Sequence, residues 1–207
     1  MNDFLGFTAI TFVILITIFI SLRWPGISKI IFIALFVRIL FILLDHYFIT
    51  LPDSTEDAAE FEKSAAGFAQ NGFFNIFSHY TGASSYFISW IIAIPYSLFG
   101  RSILMAKSIS LFFGIGSVLL GWLLTRKLWN EREANKVGWI LALFPSLVLY
   151  SSLTLREPYI TFFLMLAMIG VVDWVKTKSF KSIITATIGF IGATYFHGAM
   201  ITGLVVF

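Results

Sequence analysis

The chain has 207 residues, of which 58% are hydrophobic and only 12% charged, and its formal net charge is +3. A soluble domain carries about 25% charged residues, so the composition excludes a water-soluble globule and points to a polytopic membrane protein, while the net charge is too small to argue for nucleic acid, and no nucleic-acid partner is expected. The lack of cysteine removes disulfides, thiolate nucleophiles and cysteine-based metal sites.

The first apolar run covers residues 4–22. No basic residue precedes it, and Arg23-Trp24-Pro25 is not a small-residue cleavage site, so it reads as a retained helix rather than a signal peptide. A second run, 28–50, carries Arg38 near its middle, where a charge costs on the order of 3 kcal/mol on insertion scales. Asp45 lies two turns further on and shares its face. The spacing predicts an internal Arg38–Asp45 pair that fixes helix packing.

An acidic segment follows. Five of the eleven acidic residues fall between Asp53 and Glu62. Within it, Ser54-x-x-Asp57 has the form of a capping box, and Ala58, Phe61, Ala65 and Phe68 recur at helical spacing opposite Glu56, Glu60 and Lys63. This predicts an amphipathic helix resting on the membrane surface and ending near Asn71-Gly72. The next apolar run, 85–99, falls short of the roughly 20 residues that a crossing needs, and Pro95 interrupts it. Longer runs occupy 102–125, 137–153, 158–175 and 182–207, the last divided near Tyr195-Phe196-His197-Gly198.

Charge placement sets the expected topology. If 85–99 does not cross, the basic loops (Arg23/Lys29, 126–136 and 176–181) share the cytoplasmic side, as the positive-inside rule prefers. Segment 51–101 then becomes one external loop with juxtamembrane helices. The expectation is a multi-pass protein of the inner (plasma) membrane with its acidic loop on the periplasmic or extracellular side. Residues 1–207 are expected to form a single transmembrane domain, and its close inside an apolar run gives the expectation that it is truncated at the C-terminal end.

In order along residues 28–181, the motifs resemble the GT-C glycosyltransferases of bacteria, in particular the dolichyl-phosphate-mannose mannosyltransferase and aminoarabinose-transferase type. They are Asp57 with Phe61 and Ala65, then Leu98-Phe99-Gly100 and Lys107. Thr125-Arg126-Lys127-Leu128-Trp129, Phe144-Pro145-Ser146 and Leu155-Arg156-Glu157 follow. Two helices rather than one precede the acidic loop, and Phe61 stands where the family usually has Tyr. The resemblance implies an all-α GT-C bundle and an inverting hexosyltransferase of cell-envelope or polysaccharide biosynthesis. Its donor is a polyprenyl-phosphate-linked sugar, and its acceptor a hydroxyl of a glycan, lipid or protein.

Under that resemblance Asp57 is the general base, since glycosyl transfer needs a group to take the acceptor's proton. Asp53 and Glu157 assist, and the three acids would hold a divalent cation if one takes part. Arg156 and Lys107 contact the donor phosphate. Each has a plainer reading. Asp57 complements a helix N-terminus, Glu157 beside Pro158 is an ordinary helix start, and Lys107 snorkels at the boundary. His79 and His197 are isolated and read as structural. The alternatives are a lipid-linked-sugar or polysaccharide transporter or flippase, with Arg38 and Asp45 lining its pathway, and a polymerase-like membrane protein.

Overall fold

The computed structural model describes residues 2–80 and 82–206, and it is all-helical among them, with no strand. The helices are α1 (Asn2–Arg23), α2 (Ser28–Tyr47), α3 (Asp57–Ala69), α4 (Phe87–Phe99) and α5 (Ile103–Leu128). They continue with α6 (Glu131–Leu143), α7 (Pro145–Ser152), α8 (Glu157–Thr177), α9 (Phe180–Phe196) and α10 (Ile201–Val206). Four segments are long and apolar enough to cross a membrane: Asp3–Arg23, Pro25–Tyr47, Ile103–Leu128 and Glu157–Thr177. The chain is therefore a helical membrane bundle.

Two of the expected spans are broken. The 137–153 run divides at Phe144, because Pro145 starts α7 and has no N–H to continue α6. The 182–207 run divides where expected, with α9 ending at Phe196 and a 3-10 turn at Gly198–Met200. The α4 helix is 13 residues long and contains Pro95.

The sequence punctuates these elements locally. Pro25 opens the 3-10 turn between α1 and α2, and Gly100 ends α4 with φ +99°, a backbone conformation that favours glycine. The Ser102 hydroxyl accepts from the Met105 N–H at the start of α5, and Asn130 Oδ1 accepts from the Glu133 N–H at the start of α6. The capping box expected at Ser54 does not form, because the Ser54 hydroxyl donates to Asp45 instead.

Helix α5 is the hub, packing against α1, α2, α6, α7 and α8. One core cluster joins α2 to α5 through Ile31, Leu35, Leu111 and Trp122. A second joins Ala58, Phe61 and Ala65 of α3 to Ile88, Ile92 and Tyr96 of α4, and then to Met105, Tyr159 and Phe196. The apolar stripe of α3 thus faces α4 and the bundle rather than a membrane surface. A stripe reports only that something apolar covers it, and here the cover is protein.

Candidate functional site

A polar cleft of about 320 Å³ opens where α2 ends and α5 begins, with α3 beside it. Two charged groupings build it. In the first, Asp45 of α2 pairs with Lys107 of α5, and both side chains are nearly buried. The Asp45 carboxylate also accepts from the Leu51 N–H and from the Ser54 hydroxyl, each at 2.9 Å. A buried ion pair persists only where further hydrogen bonds satisfy its remaining lone pairs, and the chain entering α3 supplies them.

In the second, Glu62 of α3 is 5% exposed and receives Arg101 in a two-bond fork, Nε to Oε1 at 2.9 Å and Nη2 to Oε2 at 2.6 Å. Paired bonds of this kind fix orientation as well as charge. The Tyr96 hydroxyl donates to Glu62 Oε1 at 2.8 Å and lies 3.1 Å from the Ser102 carbonyl. Burial, then the neighbouring Glu62 charge, holds the Tyr96 phenol far above its ordinary range. The bond to Glu62 raises Arg101 further. Lys63 and His46 complete the polar wall. His46 Nε2 lies 3.5 Å from Asp3, and Lys63 is exposed with no ion pair among the described residues.

The expected site residues separate in this frame. Lys107 lies in the cleft, buried against Asp45 rather than snorkelling at a boundary. Asp57 is the first residue of α3, exposed, and directly precedes Ala58 and Ala59, which line the cleft. Asp57 itself does not line the cleft, and stands next to it only along the chain. Asp57 lies close enough to Tyr86 to add to the upward pull on that phenol, which comes first from the hydrogen bond to Glu60. Asp53 is exposed in the turn before α3 with φ +64°.

Glu157 and Arg156 lie elsewhere. Glu157 lines a small cavity of about 20 Å³ together with Arg38, Ser117 and Ser151. Its Oε2 is buried without a hydrogen bond among the described residues, and Arg156 Nε stands 3.6 Å from its other oxygen. Only Leu153 and Thr154 of that segment reach the polar cleft. Among the described residues no three His, Cys, Asp or Glu side chains gather closely enough to hold a metal ion. Asp53, Asp57 and Glu157 are thus not a ligand set here.

The expected Arg38–Asp45 pair does not form. Asp45 goes to Lys107, while Arg38 donates to the carbonyls of Ala34, Leu141 and Ala142 and to the Ser151 hydroxyl. His79 stacks on Phe68 and bonds Asn75, and His197 caps its own 3-10 turn, so both act structurally. Glu62, Arg101, Lys63 and His46 were not singled out by the sequence reading. One signal did exist. Glu62 is four residues after Ala58 and three before Ala65, on the edge of the buried stripe, where a carboxylate requires a partner.

Comparison with family models, with curated proteins and with solved structures returned no match to this chain.

Proposed function

We propose that this chain is a membrane glycosyltransferase that moves a sugar from a polyprenyl-phosphate donor to an acceptor hydroxyl at the acidic end of the bundle. One observation supports this reading above the others: a charged cleft and an apolar groove lie on opposite faces of the first turns of α5. The groove, about 430 Å³, runs between α1, α4 and α5 and is lined by Val13, Pro95, Phe99, Ile109 and Phe112. Helix α5 presents Lys107 to the cleft and Met105 and Ile109 to the groove within two turns. A donor with a phosphate head and an isoprenoid tail has the same division of polar and apolar parts, and would bend around the start of α5 to use both.

In this proposal Asp57, exposed at the start of α3 beside the cleft-lining Ala58, accepts the proton of the acceptor hydroxyl. The freed oxygen bonds to the sugar's anomeric carbon as the carbon–phosphate oxygen bond breaks, and the polyprenyl phosphate leaves with the electron pair. Lys63 is the exposed cation available to that leaving group. Lys107 and Arg101 are neutralised by Asp45 and Glu62 and hold the cleft in shape, so Lys63 is the group that meets the charge developing on the phosphate. Asp53, Arg156 and Glu157 take no chemical part in this scheme, nor is any step routed through a metal.

The test is Asp57→Asn, assayed in membranes against a panel of polyprenyl-phosphate sugars. Transfer per folded molecule should fall by about 10²–10⁴, the usual contribution of a general base, with membrane abundance unchanged. Transfer at the normal rate would refute the assignment. The Asp45–Lys107 pair, held between two spanning helices, favours a second reading as a lipid-linked-sugar transporter. Vesicles that move the donor between leaflets without consuming it would put that reading in place of the first.

A further inference from the structure

We infer that the opposite, basic end of the bundle holds the headgroup of an anionic phospholipid between Arg23 and Arg126. A polar pocket of about 490 Å³ lies there, lined by Arg23, Trp24, Pro25, Gly26, Arg126 and Glu131. It joins the C-terminal end of α1 to that of α5, so two spanning helices end at it.

Aromatic faces, rather than carboxylates, hold its two guanidinium groups. Arg126 lies 5.1 Å above the Trp122 ring and Arg23 5.4 Å above the Trp24 ring. Neither has an ion pair among the described residues, whereas nearby Lys127 pairs with Asp173 and Lys136 with Glu133. Trp122 is fully buried, and its Nε1 donates to Asn135 Oδ1 at 2.8 Å, so the platform under Arg126 is fixed. Stacking uses the flat face of a guanidinium and leaves its edge donors free. Those edges match phosphate oxygens in paired bonds.

The surroundings specify a lipid rather than a soluble phosphate. Exposed Leu22 precedes Arg23, and exposed Leu128 and Trp129 follow Arg126, so apolar surface flanks the pocket where acyl chains would run. Tryptophan and arginine at the ends of spanning helices belong to the headgroup level of a bilayer, where basic pockets between helices recognise anionic lipids. Glu131 is the one opposing charge. Its carboxylate lies against Gly26, and it weakens the site without closing it. The inference stands independently of the transferase reading.

The test is native mass spectrometry of the full chain titrated with phosphatidylglycerol, phosphatidylcholine or soluble glycerol phosphate. Wild type should retain one phosphatidylglycerol in preference to phosphatidylcholine, and glycerol phosphate should not displace it. At roughly fivefold for each basic residue near an anionic headgroup, R23Q/R126Q should weaken retention about thirtyfold. E131Q should strengthen it. K136Q/K181Q, an equal change in charge outside the pocket, should leave it near wild type. If the double variant does not fold, R23Q alone is compared with K136Q for the single fivefold step. Equal losses in the pocket and control variants, or displacement by glycerol phosphate at matching concentration, would overturn the site.

Discussion

In an unbroken helix the Leu141 carbonyl would accept from the N–H of residue 145, but that residue is Pro145 and has none. Arg38 repairs the gap from another helix, placing Nη2 3.2 Å from the Leu141 oxygen, Nη1 2.8 Å from the Ala142 oxygen and Nε 2.8 Å from the Ser151 hydroxyl. The fork shape matters, since a lysine has the charge but not three donors in a plane. Arg38→Met should destabilise the bundle by ~1–3 kcal/mol for each buried carbonyl left unpaired, read as a lower thermal midpoint in detergent. Arg38→Lys should recover little of the loss, and a lysine variant as stable as wild type would contradict this account. The Arg38 charge stood out in the sequence because it interrupts an apolar run. Its partners did not, because two are backbone oxygens exposed only by a proline more than a hundred residues away.

The tightest helix pairing is between α8 and α9, where glycine on each side meets alanine on the other. A Cβ on Gly170 would lie 2.7 Å from the Cα and 2.9 Å from the Cβ of Ala186, and one on Gly189 would lie 2.6 Å from the Cα of Ala167. Backbone cannot retreat as a side-chain tip can. Gly170→Ala should therefore destabilise despite a gain in helix propensity of ~1 kcal/mol, because overpacking costs about 1–3 kcal/mol. Gly67 in α3 has nothing within 4 Å of its would-be Cβ. Gly67→Ala should accordingly stabilise, and opposite signs in one thermal assay are the check. The long uninterrupted helices α1, α2, α5 and α8 were legible from apolar run length, as was the brevity of α4. The α6–α7 division was not, since Phe144-Pro145 was read as a family motif inside a span, and the break depends on which neighbour takes up the freed carbonyls.

Across the whole molecule, ion pairs sort the loops into two ends. Asp45–Lys107 brings the end of α2 to the start of α5, and Glu62–Arg101 ties α3 to the same place. Segment 48–102 thus leaves and returns at one end of the bundle. At the other end, Arg23 meets Arg126 in one pocket, and Lys127 of α5 pairs with Asp173 of α8. With no native cysteine, Thr55→Cys and Arg132→Cys, both at exposed positions, should label from opposite faces of a membrane with an impermeant thiol reagent. Labelling of both from one face would sink the arrangement. Charge placement in the sequence had already grouped the basic loops, because that grouping depends on helix parity alone. The cleft was only half legible. Lys107 was named for it, but its partner Asp45 was assigned to Arg38, since spacing along one helix cannot show which residue of another helix faces it.

The bonds of Arg38 also set an order of events during synthesis. Its acceptors on α6 and α7 follow it by 103 to 113 residues. At ribosomal rates of roughly 5–20 residues per second, that stretch takes on the order of 5–20 s to make. Over that interval the guanidinium has only the Ala34 carbonyl of its own helix as a lasting partner. Helix α2 must therefore be held in a provisional place, near water or the insertion machinery, until α6 arrives to take up the charge.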